Sequence, residues 1–505
     1  MNRFAFACLM GVALAIALAF RLAAPDLRPM HHDEANQAVK FGTLLETGEY
    51  QYDREDHHGP TLYYLTLPAA WARGQSTLAS LDEQTLRVVP AVFGSALILL
   101  LPLLAGGLGR GAIAAGALLS ALSPALTYYS RFYIQETLLV FFTIGFLIAL
   151  GRYAQRPAMA TACWAGVCAG LAYATKETSV IVVPAAAAAA LVAHRFSRAP
   201  GGSAGVRVAH LAAGTAAALA VAFVFYSSFF RHPSGLLESV RAFSTYINRG
   251  VAAGSHIQPW DYYLRLLSFS SSGGLVWTEG LILALALVGV VVAVRRSSAG
   301  FWPTYVALYS VITAVAFSLV PYKTPWNLLP FYIGFVLLAG LGAAALVGSA
   351  RSRVARGLAV AVLLAAAWHL GVQDWRANFR YQADPRNPYV YAQTSPDFPR
   401  LARRIADLAG VHPDRNRMLV KVMAGPYEQW PLPWYLRRMT RVGYWSRAAE
   451  AGRLDDVPVI IASQENADAV NAVVGDTHVS EFYGLRPDVL LTVYIDRTLW
   501  SHFLK

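Results

Sequence analysis

Long apolar runs, broken by short charged segments, dominate the first three quarters of this chain. Runs of roughly 17–25 residues, long enough to cross a bilayer as a helix, fall near residues 4–24, 88–107, 111–129, 134–151, 158–174 and 177–193. Five more lie near 208–229, 275–294, 302–320, 326–347 and 354–373. The pattern predicts about eleven transmembrane helices, two long loops at 25–87 and 230–274, and very short connections elsewhere. The first run, FAFACLMGVALAIALAF, also carries an Ala-Ile-Ala near its end, as a cleaved signal peptide does.

The long loops have a helical period of their own. In the first, Ala35, Ala38, Val39, Leu44 and Leu45 recur at helical spacing, and HHGPTLYYLTLPAAWARG reads as a short interfacial helix. In the second, Leu236, Leu237, Val240, Phe243, Tyr246 and Ile247 do the same ahead of GVAAGSH, which suits a lid, an acceptor-facing surface or a plain interfacial helix. From Asp374 onward the pattern changes. RMLVKVMA, VPVIIAS and VLLTVYI read as buried strands, and 397–409 and 464–474 as helices. The reading is a transmembrane domain over 1–373 and a C-terminal extracytoplasmic α/β domain over 374–505, with no internal repeat.

Composition agrees: of 505 residues, 56% are hydrophobic and 14% charged, a balance foreign to soluble domains. With the N-terminus inside, the inner segments hold Arg3, Arg110, Arg152, Arg156, Arg195, Arg198, Arg207, Arg295, Arg296, Arg351, Arg353 and Arg356, and no acidic residue. Those arginines account for the whole formal net charge of +12. The basic balance is therefore a topology signal and not a nucleic-acid footprint. The three cysteines, Cys8, Cys163 and Cys168, lie in apolar runs and offer no disulfide framework.

Ionisable groups at a membrane boundary are functional candidates. The outward segments carry His31, His32, Asp33, Glu34, His57 and His58 in the first loop, Arg131 and Glu136 in SRFYIQE, Lys176 and Glu177 in ATKETS, His256 in the second loop, and Lys323 in PYKTPWN. Asp33 or Glu34 can take a proton from an incoming hydroxyl, while Lys176, Lys323 and Arg131 stabilise a departing phosphate. That chemistry is group transfer from a phosphorylated lipid. His32, Tyr133, His256 and Trp326 complete the candidate substrate-binding set, and His31 with Asp33 is a candidate divalent-metal pair. A boundary arginine such as Arg131 also serves as a snorkelling anchor, and His57 and His58 read as surface residues.

These segments resemble, in order, those of the GT-C superfamily of membrane glycosyltransferases, in the branch of protein O-mannosyltransferases and the lipid A aminoarabinose transferase. HHDEANQAVK stands where that family opens its first outer loop with an acidic motif. HGPTLYYL is similar to its KPPLYYW-type segment with His58 in place of the lysine, and RVVPAVFGS to its Arg-leading second helix. SRFYIQETLLVFF carries the second acidic position, Glu136. YATKETSVIVVP keeps Lys176 but has Glu177 and Thr178 where the family has Gly-Pro, and HIQPWDYYL and PYKTPWNLLPFY resemble two further segments. HHDEA, WPLPWYLR and YGLRP are most similar to a subgroup named for an association with flipping of lipid-linked glycans, and the WWD-type motif of oligosaccharyltransferases is missing.

The resemblance implies Asp33 as base or its metal-bound equivalent, Glu34 and Glu136 in support, Lys176 and Lys323 on the donor phosphate, and His256 near donor or metal. Glu177 would repel the donor unless paired. The implied function is inverting transfer of a sugar from a polyprenyl-phosphate donor to a glycan, lipid or protein acceptor at the outer face of the cytoplasmic membrane. The alternatives are a non-enzymatic partner that binds lipid-linked glycans and assists their translocation, and, less in keeping with boundary charges, a secondary transporter. WPLPWYLR reads either as an acceptor-facing aromatic ledge or as ordinary core.

Overall fold

The computed structural model describes residues 1–55, 58–197, 207–251, 256–295 and 300–505; His57, Arg198 and Arg296 lie outside them. Each apolar run forms a helix over most of its length, the one near 275–294 only from Gly280 onward. Among the described residues, eight helices are long and apolar enough to cross a membrane, and the bent pair Arg110–Leu122 and Pro124–Ser130, angled by 60°, makes a ninth span if counted as one. Met159–Tyr173 and Gly280–Arg295, of 15 and 16 residues, are shorter apolar helices. The chain is thus a multi-pass membrane protein; a count of eleven crossings is not fixed by helix length.

The bend follows from sequence. Ser123 accepts the Leu126 N–H at 3.3 Å and Pro124, with no N–H to donate, opens a new helix. Tyr128 and Tyr129 are thereby packed beneath the loops at that end of the bundle. Helices elsewhere approach through small residues: a Cβ on Gly340 would meet the Ala112 carbonyl oxygen at 2.2 Å.

The first long loop folds as the helices His32–Thr47 and Thr61–Ala72. The second gives Gly235–Val251, Tyr262–Ser268 and a two-stranded hairpin, Ser270–Ser272 with Leu275–Trp277. Beyond the last apolar helix, a five-stranded sheet is built from Val442–Trp445, Val420–Met423 and Val459–Ser463, parallel in that order, then Val489–Asp496 and His478–Arg486, antiparallel. Alternation along its strands fills two cores: Val420, Val422, Val459 and Ile461 face one, Met423, Ile460 and Ala462 the other. The sheet region docks on the first loop through Tyr435, whose hydroxyl accepts the Met30 N–H at 3.0 Å, and through Trp434 and Arg437.

Candidate active site

The acidic opening of the first loop is a helix N-terminus. His31 is the N-cap: its Nδ1 accepts the Asp33 N–H at 3.0 Å, and Glu34 accepts the His31 N–H at 3.0 Å, a reciprocal capping pair. Because successive helical positions are about 100° apart, the two neighbouring carboxylates point differently. Glu34 is fully buried and receives Arg87 Nε and Nη2 at 2.7 Å each and the Tyr133 N–H at 2.9 Å. Burial by itself would raise its carboxyl, but Arg87, Arg28 and these hydrogen bonds hold it at about 2. Arg87 goes on to the carbonyls of Pro25 and Arg28 at 2.7 and 2.8 Å. The expectation of a catalytic Glu34 is corrected: its oxygens are consumed in a brace that shapes the loop.

His31 is corrected likewise. With Nδ1 accepting, Nε2 carries the proton and donates to the Tyr391 carbonyl at 2.9 Å. Neither nitrogen has a lone pair to give a metal, and among the described residues no three His, Cys, Asp or Glu side chains are grouped to hold one. Among the described residues, His31 and Asp33 therefore do not form the metal pair that the sequence suggested.

Asp33 is turned away from the Arg87 brace, with its side chain 40% exposed. Desolvation raises its carboxyl, but His31, His32, His58 and Lys176 together bring it below the usual value. Its charge is also felt by His256, Tyr391 and Arg486. Groups from both long loops, from the turn at Lys176, from the stretch after the last apolar helix and from the sheet region therefore surround one carboxylate.

Lys176 and Glu136, both buried, form an ion pair. The next residue, Glu177, is buried and lies 2.8 Å from His58 Nδ1. The carboxylate that threatened to repel a donor is thus paired, and by the residue standing where the resembling family has lysine. Backbone locks this contact: the Thr61 N–H donates to the Ala174 carbonyl at 3.2 Å, and the Thr61 and Thr175 hydroxyls are 2.7 Å apart. Gly59 permits it, since a Cβ there would lie 2.1 Å from the Ala174 oxygen.

Lys323 is buried and donates from Nζ to the carbonyls of Gln258 and Val320 at 3.1 and 2.5 Å, and burial lowers its ammonium. Its N–H meets the His256 carbonyl at 2.9 Å. His256 hydrogen bonds through Nδ1 to the Tyr391 hydroxyl; burial lowers its imidazole, and Asp33 opposes that. Trp326 is packed behind His31 and Tyr391, with both ring centroids 5.8 Å away.

Two expectations lead elsewhere. Arg131 wraps the end of the first helix, donating to the carbonyls of Phe20, Ala23 and Ala24 at 2.6, 2.6 and 2.9 Å, so it is an anchor and not a phosphate ligand. Tyr133 is fully buried with its hydroxyl 3.0 Å from Thr66 Oγ1, so it supports the core. His32 is seated against the sheet region, its ring 6.3 Å from Tyr427 and 6.1 Å from Trp430. Arg486 donates to the Tyr427 carbonyl at 3.1 Å, and its guanidinium is lowered by burial despite Glu428 and Asp33. Arg87 and Arg486 sit in motifs visible in the sequence, RVVPAVFGS and YGLRP; nothing in the sequence singles out Tyr391.

Known proteins were compared with this arrangement. The family model described as dolichyl-phosphate-mannose-protein mannosyltransferase matches residues 67–226. No curated protein sequence matches. Among solved structures, ArnT from Cupriavidus metallidurans bound to undecaprenyl phosphate superposes with a TM-score of 0.65 at 15% identity, covering 99% of both chains. AglB, an archaeal oligosaccharyltransferase from Archaeoglobus fulgidus in complex with an inhibitory peptide and a dolichol-phosphate, gives 0.61 at 13% identity, covering 99% of this chain and 77% of that one. An Archaeoglobus fulgidus oligosaccharyltransferase in complex with Zn and sulfate gives 0.55 at 13% identity, covering 97% and 73%. The shared property is the fold, over nearly the whole length.

Proposed function

We propose, from the premise that this chain is a multi-pass membrane protein of the GT-C superfamily, that it transfers a sugar from a polyprenyl-phosphate donor to an acceptor hydroxyl at the outer face of the cytoplasmic membrane. The observation that carries this reading is the convergence of Lys176, His58, His256 and Arg486 on the half-exposed carboxylate of Asp33. The outer face is supported by the inner-segment arginines among the described residues, which lie at the helix ends opposite this site.

The roles follow from the chemistry. The acceptor oxygen attacks the anomeric carbon as the bond from that carbon to the phosphate oxygen breaks, which inverts the configuration. Asp33 takes the hydroxyl proton, and the polyprenyl phosphate leaves with the bonding pair, its charge met by Lys176 and Lys323. Glu136 holds Lys176 in place. His31, Glu34 and Arg87 fix the helix end that carries Asp33. The bound lipids of ArnT and AglB agree with such a donor.

Turnover in nanodiscs tests the reading. Purified protein is given polyprenyl-phosphate hexoses and a panel of glycan, lipid and peptide acceptors. The expected outcome is transfer by wild type and a loss of at least about 100-fold in Asp33→Asn, the scale of a positioned general base. Full activity in Asp33→Asn removes the mechanism. Binding of polyprenyl phosphate with no turnover of any donor favours the translocation partner instead.

A further inference from the structure

The transfer steps leave the acceptor without a seat, and the sheet region offers a surface beside Asp33 that those steps do not use. Strands Val442–Trp445, Val420–Met423 and Val459–Ser463 run parallel, and the connections leaving Val420–Met423 and Val459–Ser463 pass to opposite sides of the sheet. Open α/β sheets gather ligands at the carboxyl ends of strands whose connections diverge in this way. The segment GPYEQWP, residues 425–431, leaves that end of Val420–Met423 and reaches the helix start that carries Asp33. There the Tyr427 and His32 rings lie 6.3 Å apart with planes 25° from parallel, and Trp430 is 6.1 Å from His32. An exposed tyrosine is ordinary by itself, but the backbone of this one is fixed. Its carbonyl accepts Arg486 Nη2 at 3.1 Å, and the Glu428 and Gln429 N–H groups close a turn on the Gly425 carbonyl at 2.9 and 3.0 Å. The side chain so held is 77% exposed.

We propose that the acceptor is a carbohydrate, and that the Tyr427 ring, with Glu428 and Arg486 at its rim, is the platform on which its terminal sugar stacks while presenting a hydroxyl to Asp33. The inference rests on the transfer reading given above and names the class of acceptor. The chemistry of the platform selects it. An aromatic face carries the negative side of the ring quadrupole, and one face of a pyranose whose hydroxyls are equatorial is a patch of weakly positive axial C–H groups. The hydroxyls then stand around the edge of the sugar, where a carboxylate can accept from them and a planar guanidinium can donate to them. Glu428 and Asp33 both act on Arg486 through their charges, so these rim groups and the base share one neighbourhood. A lipid tail would need a dry apolar groove, whereas this ring stands in water between charged groups.

Saturation-transfer NMR on the full chain in nanodiscs reads this contact without a donor. The probes are β-glucosyl, β-galactosyl and β-N-acetylglucosaminyl tetrasaccharides and a Ser/Thr-containing peptide. Wild type is expected to bind at least one tetrasaccharide and to pass saturation most strongly to the axial hydrogens on one face of a terminal sugar. Tyr427→Phe should keep that pattern, and Tyr427→Ala should weaken binding about three- to tenfold, the range of an aromatic stacking contact. No tetrasaccharide binding by wild type, or binding of the peptide alone, overturns the proposal. So does tetrasaccharide binding that is equally strong in Tyr427→Ala, because the sugar then sits elsewhere. Undecaprenyl methyl phosphate binding to the same wild-type sample separates the two readings. If it binds and no tetrasaccharide does, the carbohydrate platform fails and the donor reading stands; if a tetrasaccharide binds through Tyr427 and the lipid phosphate does not, the platform stands and the donor reading fails. The pattern of saturated hydrogens needs no substitution, so a variant that fails to fold does not protect the proposal.

Discussion

Asp33 and Glu34 are the same chemistry one residue apart, and the structure gives them opposite tasks. Glu34 balances a buried guanidinium, so Glu34→Gln leaves Arg87 with an uncompensated charge; removing one partner of a buried pair costs about 3–5 kcal/mol. The expected result is a large drop in melting temperature, whereas Asp33→Asn, at a half-exposed position, melts like wild type and loses transfer. The acid limb has a definite sign. Glu34 is held at about 2 against an ordinary 4.5, so its contribution is complete above the unfolded value and is lost as pH falls from there toward about 2. Thermal melts across that window should decline for wild type, and this part of the decline should be missing in Glu34→Gln. The HHDE run announced itself in sequence as four titratable groups at a membrane edge. Asp33 as base was implied by resemblance; that Glu34 is shut in a buried ion pair was not legible, because it depends on helix phase and on Arg87, 53 residues away. Arg131 shows the same gap: its charge was visible, while the carbonyls it serves belong to the first helix, more than 100 residues earlier in sequence.

At the scale of elements, apolar length located every membrane helix, and helical period located those of the first loop. The strands Val442–Trp445 and His478–Arg486 escaped, and the reason is physical. Both are sheet edges, only partly buried, and the longer one sets the polar pair Ser480 and Glu481 side by side and so breaks the alternation, a far weaker signal than the buried run Val459–Ser463. The contact of two connecting segments was also invisible, since neither has a period. Gly59 is where they touch. An alanine there must push the segment off the Ala174 carbonyl by about 1 Å or more to regain van der Waals distance. Such overpacking costs about 1–3 kcal/mol. Gly59→Ala should therefore lower the melting temperature modestly and weaken polyprenyl-phosphate binding, because Lys176 is carried on one of the two segments being separated. Unchanged binding in Gly59→Ala would mean that the spacing of these segments does not set the phosphate site.

The whole molecule places its chemistry at a seam. Asp33 belongs to the first loop of the membrane part, yet Tyr391 and Arg486, which shape its surroundings, come from beyond the last apolar helix. Besides the Tyr435–Met30 bond, the seam is held where Trp434 Nε1 donates to Glu83 at 2.9 Å, Arg437 to the Leu81 carbonyl at 2.8 Å while its guanidinium lies 3.7 Å from the Trp434 ring centroid, and Gln393 to the Pro29 carbonyl at 2.9 Å. WPLPWYLR, readable in sequence as ledge or core, divides between the two: Trp434 is fully buried in the seam, whereas Trp430 stands beside His32, next to a Tyr427 that is 77% exposed. Trp434→Ala opens a large cavity under the ring and removes the cation–π contact, a loss of about 3–5 kcal/mol of which most falls on docking. If docking positions Arg486 and His32 around Asp33, the variant should stay folded in the membrane, lose transfer several-fold, and be cut faster by protease in the connecting stretch 381–398. Loss of transfer without faster cleavage would place the defect within the sheet region itself, and faster cleavage with full transfer would show that the membrane part completes the site alone.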